Sequence, residues 1–226
     1  MTVRRLSVIV PVLDEAAGIV ASLAALAPLR ARGHELIVVD GGSRDATAAL
    51  SRGHADVVIA SPRGRARQMN AGAARAQGEV LLFLHADTTL PASADTAIVH
   101  ALANGASWGR FDVKIEGRSA MFPLIAALMN LRSRWSGIAT GDQAIFVRRD
   151  VFARVGGFPE QPLMEDIELS RRLHALSRPA CLRERVLTSG RRWDQHGVWR
   201  TILLMWRLRW RYWRGASPET LAKAYR

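Results

Sequence analysis

Leu36-Ile37-Val38-Val39-Asp40-Gly41-Gly42-Ser43-Arg44-Asp45 is the stretch whose reading decides the fold. Four apolar residues in a row, without polar alternation, describe a strand buried on both faces, and such strands belong to parallel sheets covered by helices. Asp40 ends the run, Gly41 and Gly42 turn the chain, and Ser43 or Asp45 can cap a helix running to Arg52. A carboxylate placed this way stands at the carboxyl edge of an open α/β sheet, where ligands bind.

The same pattern recurs on either side. Residues 6–12 are apolar and β-branched, and Asp14 opens a segment 15–30 rich in alanine and leucine that reads as a helix. Residues 57–60 form a third strand, 65–77 a helix closed by Gly78, and 80–84 a fourth strand leading to His85-Ala86-Asp87. Strands alternating with helices imply βαβ units with right-handed crossovers. The expected fold is therefore α/β, a mainly parallel sheet with helices on both faces. Beyond residue 90 the elements are a helix over 92–103, a strand over 108–115, an apolar helical stretch over 121–135, a strand over 143–147 and a helix over 165–176. Glu165 and Asp166 then stand at a helix N-terminus, where the dipole and free N–H groups stabilise an anion; this suits a structural cap as well as a base.

With 226 residues, 49% hydrophobic and 23% charged, the chain is an ordinary globular protein. A single cysteine, Cys181, cannot form an intramolecular disulfide, which points to a reducing cytoplasm. Arg4 and Arg5 precede an apolar run as in a signal peptide, but Asp14 and Glu15 interrupt it and no small-residue cleavage pattern follows. The longest uncharged apolar segment, 121–131, falls short of the roughly 20 residues that span a bilayer. No crossing of a membrane is expected. Histidines 34, 54, 100, 174 and 196 occur singly, without the i, i+4 pair of a zinc-binding helix.

The formal net charge of +12 must attract a negative partner. Basic residues crowd the end of the chain, among them Arg183, Arg185, Arg191, Arg192 and Arg200. Over 198–214, a helical period puts Arg200, Arg207, Arg211 and Arg214 on one face and Trp199, Ile202, Trp206, Trp210 and Trp213 on another. A tryptophan-bearing face beside arginines suits the plane of an anionic membrane, with Arg209 snorkelling; the alternatives are a partner helix or tryptophans packed as core. Nucleic-acid surfaces also mix arginine with aromatics, and that reading ranks below the others.

Four motifs, Val10-Pro11-Val12-Leu13-Asp14-Glu15, Val39-Asp40-Gly41-Gly42-Ser43-Arg44-Asp45, His85-Ala86-Asp87 and Glu165-Asp166, resemble in order and spacing those of inverting family 2 glycosyltransferases. The likeness covers residues 6 to about 175 and is to small, single-domain bacterial-type members. It implies a GT-A fold, a UDP- or GDP-sugar donor, Mg²⁺ or Mn²⁺, and transfer with inversion to an unidentified hydroxyl or phosphate; membrane contact through the C-terminal helix would bring the enzyme to a lipid-linked acceptor. It implies Asp87 as metal ligand, since a departing diphosphate builds charge that a hard cation neutralises. It implies Asp166 as general base with Glu165 as its neighbour, because the acceptor hydroxyl must lose a proton as it attacks. Nucleotide contacts are expected from Pro11, Glu15, Asp40, Arg67, His85 and Asp87. Arg67 comes from the run Arg63-Gly64-Arg65-Ala66-Arg67, any of whose three arginines can offer the guanidinium fork that matches phosphate oxygens.

The chain departs from the family pattern at Gly41, where a second acid usually touches the nucleobase, and at His85, which adds no negative charge to hold a cation. Gly141-Asp142-Gln143 reads equally as a simple turn or as part of an acceptor pocket, and Ser189-Gly190-Arg191-Arg192-Trp193 is loosely similar to an Arg-Trp element of larger, processive members. The expected organisation is a GT-A domain over 1–190, with a nucleotide-binding half (1–90) and an acceptor half (91–190), followed by a basic, Trp-rich helical extension over 191–226. A cytoplasmic enzyme, peripheral on the inner face of the membrane through residues 199–214, is the expectation. The alternative is a non-catalytic nucleotide-sugar or nucleic-acid binder.

Overall fold

The computed structural model describes residues 5–225; Arg4 and the side chains of Arg192 and His196 lie outside the described residues. Within them, one sheet is built from β1 (Leu6–Val12), β2 (Glu35–Asp40), β3 (Val57–Ala60), β4 (Val80–Phe83), β5 (Thr88–Thr89), β6 (Trp108–Glu116), β7 (Phe146–Arg148) and β8 (Ala180–Ser189). Its order is β3-β2-β1-β4-β7-β6-β8-β5.

Uninterrupted apolar runs serve both faces because alternate side chains go to opposite sides. Leu36 and Val38 join Val8, Val10, Leu82, Ile98 and Phe122 in one core, while Ile37 and Val39 join Ile9, Leu81, Phe83, Met69 and Leu169 in the other. The first core lies under helices Ile19–Ala24, Ala94–Ala103 and Phe122–Ser136, the second under Arg65–Arg75 and Glu165–Leu176.

The sheet is parallel across β3, β2, β1 and β4 and mixed beyond: β7 runs antiparallel to β4 and β6, β8 is parallel to β6, and β5 is antiparallel to β8. The change of direction has a local cause. The turn Gly141–Gln143 lies against His85 at the carboxyl end of β4, so the chain entering β7 starts at that edge and runs back. The segment expected as one helix over 15–30 is split into Ile19–Ala24 and Ala27–Ala31, with Pro28 in the first turn of the second, where its missing N–H costs nothing. Strand β8 has no clear apolar period because Phe111 pairs with Leu182 and Asp112 with Arg185, leaving Arg183 and Glu184 in a bulge.

Gly72 brings helix Arg65–Arg75 against the sheet. A Cβ there would lie 2.4 Å from Ile9 Cγ2 and 3.0 Å from Val39 Cγ2. Alanine would gain about 1 kcal/mol in helix propensity, but forcing the helix outward costs about 1–3 kcal/mol. Gly72→Ala is therefore expected to lower the melting temperature by a few degrees, measured by thermal denaturation; a rise would mean that the helix has room to move.

The C-terminal helices Val198–Trp213 and Pro218–Tyr225 fold back on the domain through a separate cluster in which Leu208 and Leu221 bury Leu163 and Met164. Trp199, Leu203, Trp206, Trp210 and Trp213 remain exposed. Among the described residues no helix is long and apolar enough to cross a membrane.

Candidate active site

The carboxyl edge of β1, β2 and β4 is a ready-made rim. Two loops there are tied together: Ser43 Oγ accepts from the Asp14 amide (2.9 Å) and Asp14 accepts from the Arg44 amide (2.7 Å). Behind them the buried amide of Gln68 donates to the carbonyls of Val12 and Val39, 2.8 Å each, locking β1 to β2 at the point where both strands end.

Pro11, Val12, Leu13, Glu15, Arg63, Arg65, Gln68 and His85-Ala86-Asp87 line a cleft of about 500 Å³. A second cavity of about 380 Å³ shares Arg65, His85 and Asp87 and continues past Asp142 to Met129, Arg191, Trp193, Thr201, Met205 and Tyr225. A third, of about 90 Å³, is walled by Arg65, His85, Asp142, Glu165, Asp166 and Arg209. Arg65 and His85 line all three, so the rim that holds Asp87 and the pocket that holds Asp166 adjoin across these two side chains.

Each acid has a distinct environment. Asp87 is exposed, and its carboxylate makes no hydrogen bond or ion pair among the described residues. Asp166 is held at both oxygens, by the amide of Gly141 (2.8 Å) and by that of Ile167 (2.8 Å). Glu165 is buried and pairs with Arg65 at 3.3 Å. Burial pushes the Glu165 carboxyl above its ordinary range; Arg65 opposes this and the Asp166 charge adds to it. Asp142 lies 3.4 Å from the His85 imidazole. Burial favours the neutral form of both, yet the hydrogen bond between them prevails, with His85 shifted up and Asp142 down, toward the ion pair. The pair requires Gly141, since a Cβ there would lie 2.4 Å from His85 Nε2.

The sign of the Glu165 shift gives a pH test. A raised folded-state pKa means that folding favours the protonated acid, so its contribution is whole below the glutamate's unfolded value and is lost as pH climbs through the folded one. Glu165→Gln is expected to melt higher than wild type at about pH 8 and no higher at about pH 4. A lower melting temperature at the higher pH would mean that the Arg65 pair outweighs burial.

Several expected residues sit elsewhere than the motif pattern implies. Asp40 is buried and does not line the cleft; its carboxylate accepts from the amides of Gly42 (3.2 Å) and Ser43 (3.1 Å) and from the Ser43 hydroxyl. The place of the second acid is filled: a Cβ on Gly41 would meet the Gln68 amide at 3.0 Å. Arg67 turns away and approaches Glu160 at 3.3 Å on the surface, because two residues along a helix from Arg65 is nearly the opposite side. Arg63 and Arg65 line the cleft instead. Pro11, Glu15, His85 and Asp87 do line it, and Arg191 reaches Glu15 at 3.5 Å. Asp142, half read as a turn residue, is a member of the site; its signal was a lone acid just before a strand in the acceptor half. Among the described residues no three His, Cys, Asp or Glu side chains cluster as a metal cage. One free carboxylate at the cleft nonetheless suits a Mg²⁺-like ion that takes its other ligands from diphosphate and water.

The family model described as glycosyl transferase family 2 matches residues 7–158. The chain belongs to that family. This family 2 chain is 27% identical over 204 residues to the probable glycosyltransferase YdaM of Bacillus subtilis (strain 168), covering 80% of the chain and 47% of that protein. The chain thus spans about half the length of the curated relative it matches. A mannosyltransferase from Pyrobaculum calidifontis, solved with GDP-Man and Mn²⁺, superposes with a TM-score of 0.71 at 20% identity, over 98% of this chain and 69% of that one. TarS 1–349 of S. aureus, in complex with UDP, gives 0.67 at 21% identity over 82% and 60%. The fold is that of GT-A glycosyltransferases, with mixed rather than wholly parallel strand order.

Proposed function

We propose that this protein is an inverting glycosyltransferase that moves one sugar from a UDP- or GDP-sugar to a hydroxyl or phosphate oxygen of its acceptor. The observation that carries the reading is that the cavities at the unpaired Asp87 carboxylate and at Asp166 adjoin across the shared side chains of Arg65 and His85. The relatives solved with UDP or with GDP-Man and Mn²⁺ support a nucleotide-sugar donor and a divalent ion.

Pro11, Glu15 and the Val12 end of β1 form the floor for the nucleotide. Arg63 and Arg65 offer guanidinium donors to the diphosphate. Asp87 would hold Mg²⁺ or Mn²⁺, which would neutralise charge on the departing diphosphate. Asp166, fixed by two backbone amides, takes the proton of the acceptor hydroxyl as its oxygen attacks the anomeric carbon from the side opposite the leaving group. The bond from that carbon to the diphosphate oxygen breaks, and the electron pair leaves with the nucleoside diphosphate. Glu165, kept toward its neutral form by burial, limits repulsion next to Asp166.

The exposed Trp199, Trp206, Trp210 and Trp213, flanked by Arg200, Arg207 and Arg214, support action at the cytoplasmic face of an anionic membrane. A thermal-shift panel of UDP, GDP, ADP and CDP, with and without Mn²⁺, tests the donor reading. One nucleotide is expected to stabilise in a Mn²⁺-dependent way, by an amount that grows with the logarithm of its concentration. No stabilisation by any of the four would reject it.

A further inference from the structure

Two arginines near the pocket hold buried donors with nothing to donate to. Among the described residues, Nε and Nη2 of Arg132 and Nε of Arg209 are the buried side-chain polar atoms that lack a hydrogen-bond partner. Folded chains rarely leave such groups unpaired, and each exception needs an explanation, an ordered water or a bound ion among them. The neighbouring Arg110 shows the contrast: it is fully buried but donates to Ser133 Oγ (3.0 Å), the Asn130 carbonyl (3.2 Å) and Asp112.

Arg209 lines the pocket that contains Asp166, and Arg132 lies close enough to Asp166 and Asp142 to feel their charges. Met129 and Met205 line the 380 Å³ cavity that reaches Asp87 and Asp142. Arg132 follows Met129 by three residues and Arg209 follows Met205 by four, so each stands one helical turn further along the same side. Asp142 and Asp166 would repel an anion entering there, and the cations Arg65, Arg132 and Arg209 offset them. Burial holds the Arg132 guanidinium below its ordinary range, Asp166 and Asp142 pulling the other way and Arg110 adding to the downward shift.

We propose that Arg132 and Arg209 form an anion subsite that binds a phosphate group on the acceptor. Donors arriving from two separate helices suit the oxygens of a tetrahedral phosphate better than one planar carboxylate. The subsite orients the acceptor's attacking oxygen toward Asp166, and to that extent rests on the glycosyltransferase reading.

The test is calorimetric titration of wild type, Arg132→Met and Arg209→Met with inorganic phosphate, glycerol 3-phosphate and dodecyl phosphate. Phosphate bound among Arg63 and Arg65 is common to all three proteins, so only the difference between them counts. Each substitution is expected to weaken binding of the phosphate probes by about tenfold or more, as loss of a charge-assisted contact does, and Arg132→Lys less. Methionine is unbranched and of similar length and removes two buried donors that lack a partner, so the free Arg132→Met protein is expected to melt a few degrees higher. That rise also shows that it folds. Equal phosphate affinity in the three proteins, or no binding to wild type, overturns the proposal. If no nucleoside diphosphate binds wild type while phosphate binding still depends on Arg132 and Arg209, the donor reading fails and the subsite stands. Tighter binding of dodecyl phosphate than of glycerol 3-phosphate assigns the group to a lipid, and equal binding to a soluble phosphomonoester; in both arms dependence on both Arg132 and Arg209 carries the claim, and dependence on one alone overturns the joint subsite.

Discussion

Asp166→Asn is expected to slow sugar transfer by about 10²–10⁴-fold, the usual contribution of a positioned general base, with little change in nucleoside diphosphate affinity. An amide cannot take up the acceptor proton, yet it is nearly isosteric and uncharged, so the donor cleft around Asp87 and Arg63 is left as it was. The substitution has a structural cost that must be separated. Asp166 accepts from two backbone amides, and the asparagine NH₂ can serve neither, so one of the Gly141 and Ile167 bonds is lost at about 1 kcal/mol. That lowers the melting temperature by only a few degrees for a chain of this size. A base role thus predicts a large fall in kcat and a small fall in stability, whereas a cap alone predicts the small fall and transfer within about tenfold of wild type. The second outcome would remove Asp166 from the mechanism.

How far the chain could be read follows from where its local signals agree with its tertiary contacts. The runs that became β1, β2 and β4 were legible because burial on both faces demands apolar residues at every position. Helix Glu165–Leu176 was legible because acids crowd its first turn and its apolar residues recur at helical spacing. Strand β8 was not, since the bulge places Arg183 and Glu184 in its middle, and a charged triplet reads as a loop. At the site, the sequence order of the acids was informative but their directions were not. Asp40 ends its strand as expected, yet spends its carboxylate on its own turn. Among the arginines of 63–67, only the helical phase separates the one beside Glu165 from the one beside Glu160. Arg132 and Arg209 carry no motif at all; their idle donors appear only once the surrounding partners are known.

Replacing Trp206, Trp210 and Trp213 together by serine is expected to cut binding to anionic vesicles by about 100-fold or more, taking at least about 1 kcal/mol for each indole withdrawn from the interface. These side chains are 69%, 58% and 81% exposed, so their loss removes little packing and the melting temperature should barely move. Truncation after Gly197 cannot make the same distinction. It would strip away Leu208 and Leu221, which are 1% and 0% exposed, and uncover Leu163 and Met164 immediately before Glu165. Two fully buried leucines contribute about 3–6 kcal/mol, a large share of the total stability of a domain. Met164 is also held at φ +65°, a conformation that a non-glycine residue keeps only when its surroundings impose it. The shortened chain should therefore lose the placement of Asp166 together with any lipid affinity. The tryptophan variant should keep nucleotide binding and lose vesicles alone. Undiminished cosedimentation of that variant would assign the lipid contact elsewhere, the next candidate being the exposed stripe Leu124, Leu128, Leu131 and Trp135 on helix Phe122–Ser136, whose Met129 lines the same cavity as Met205.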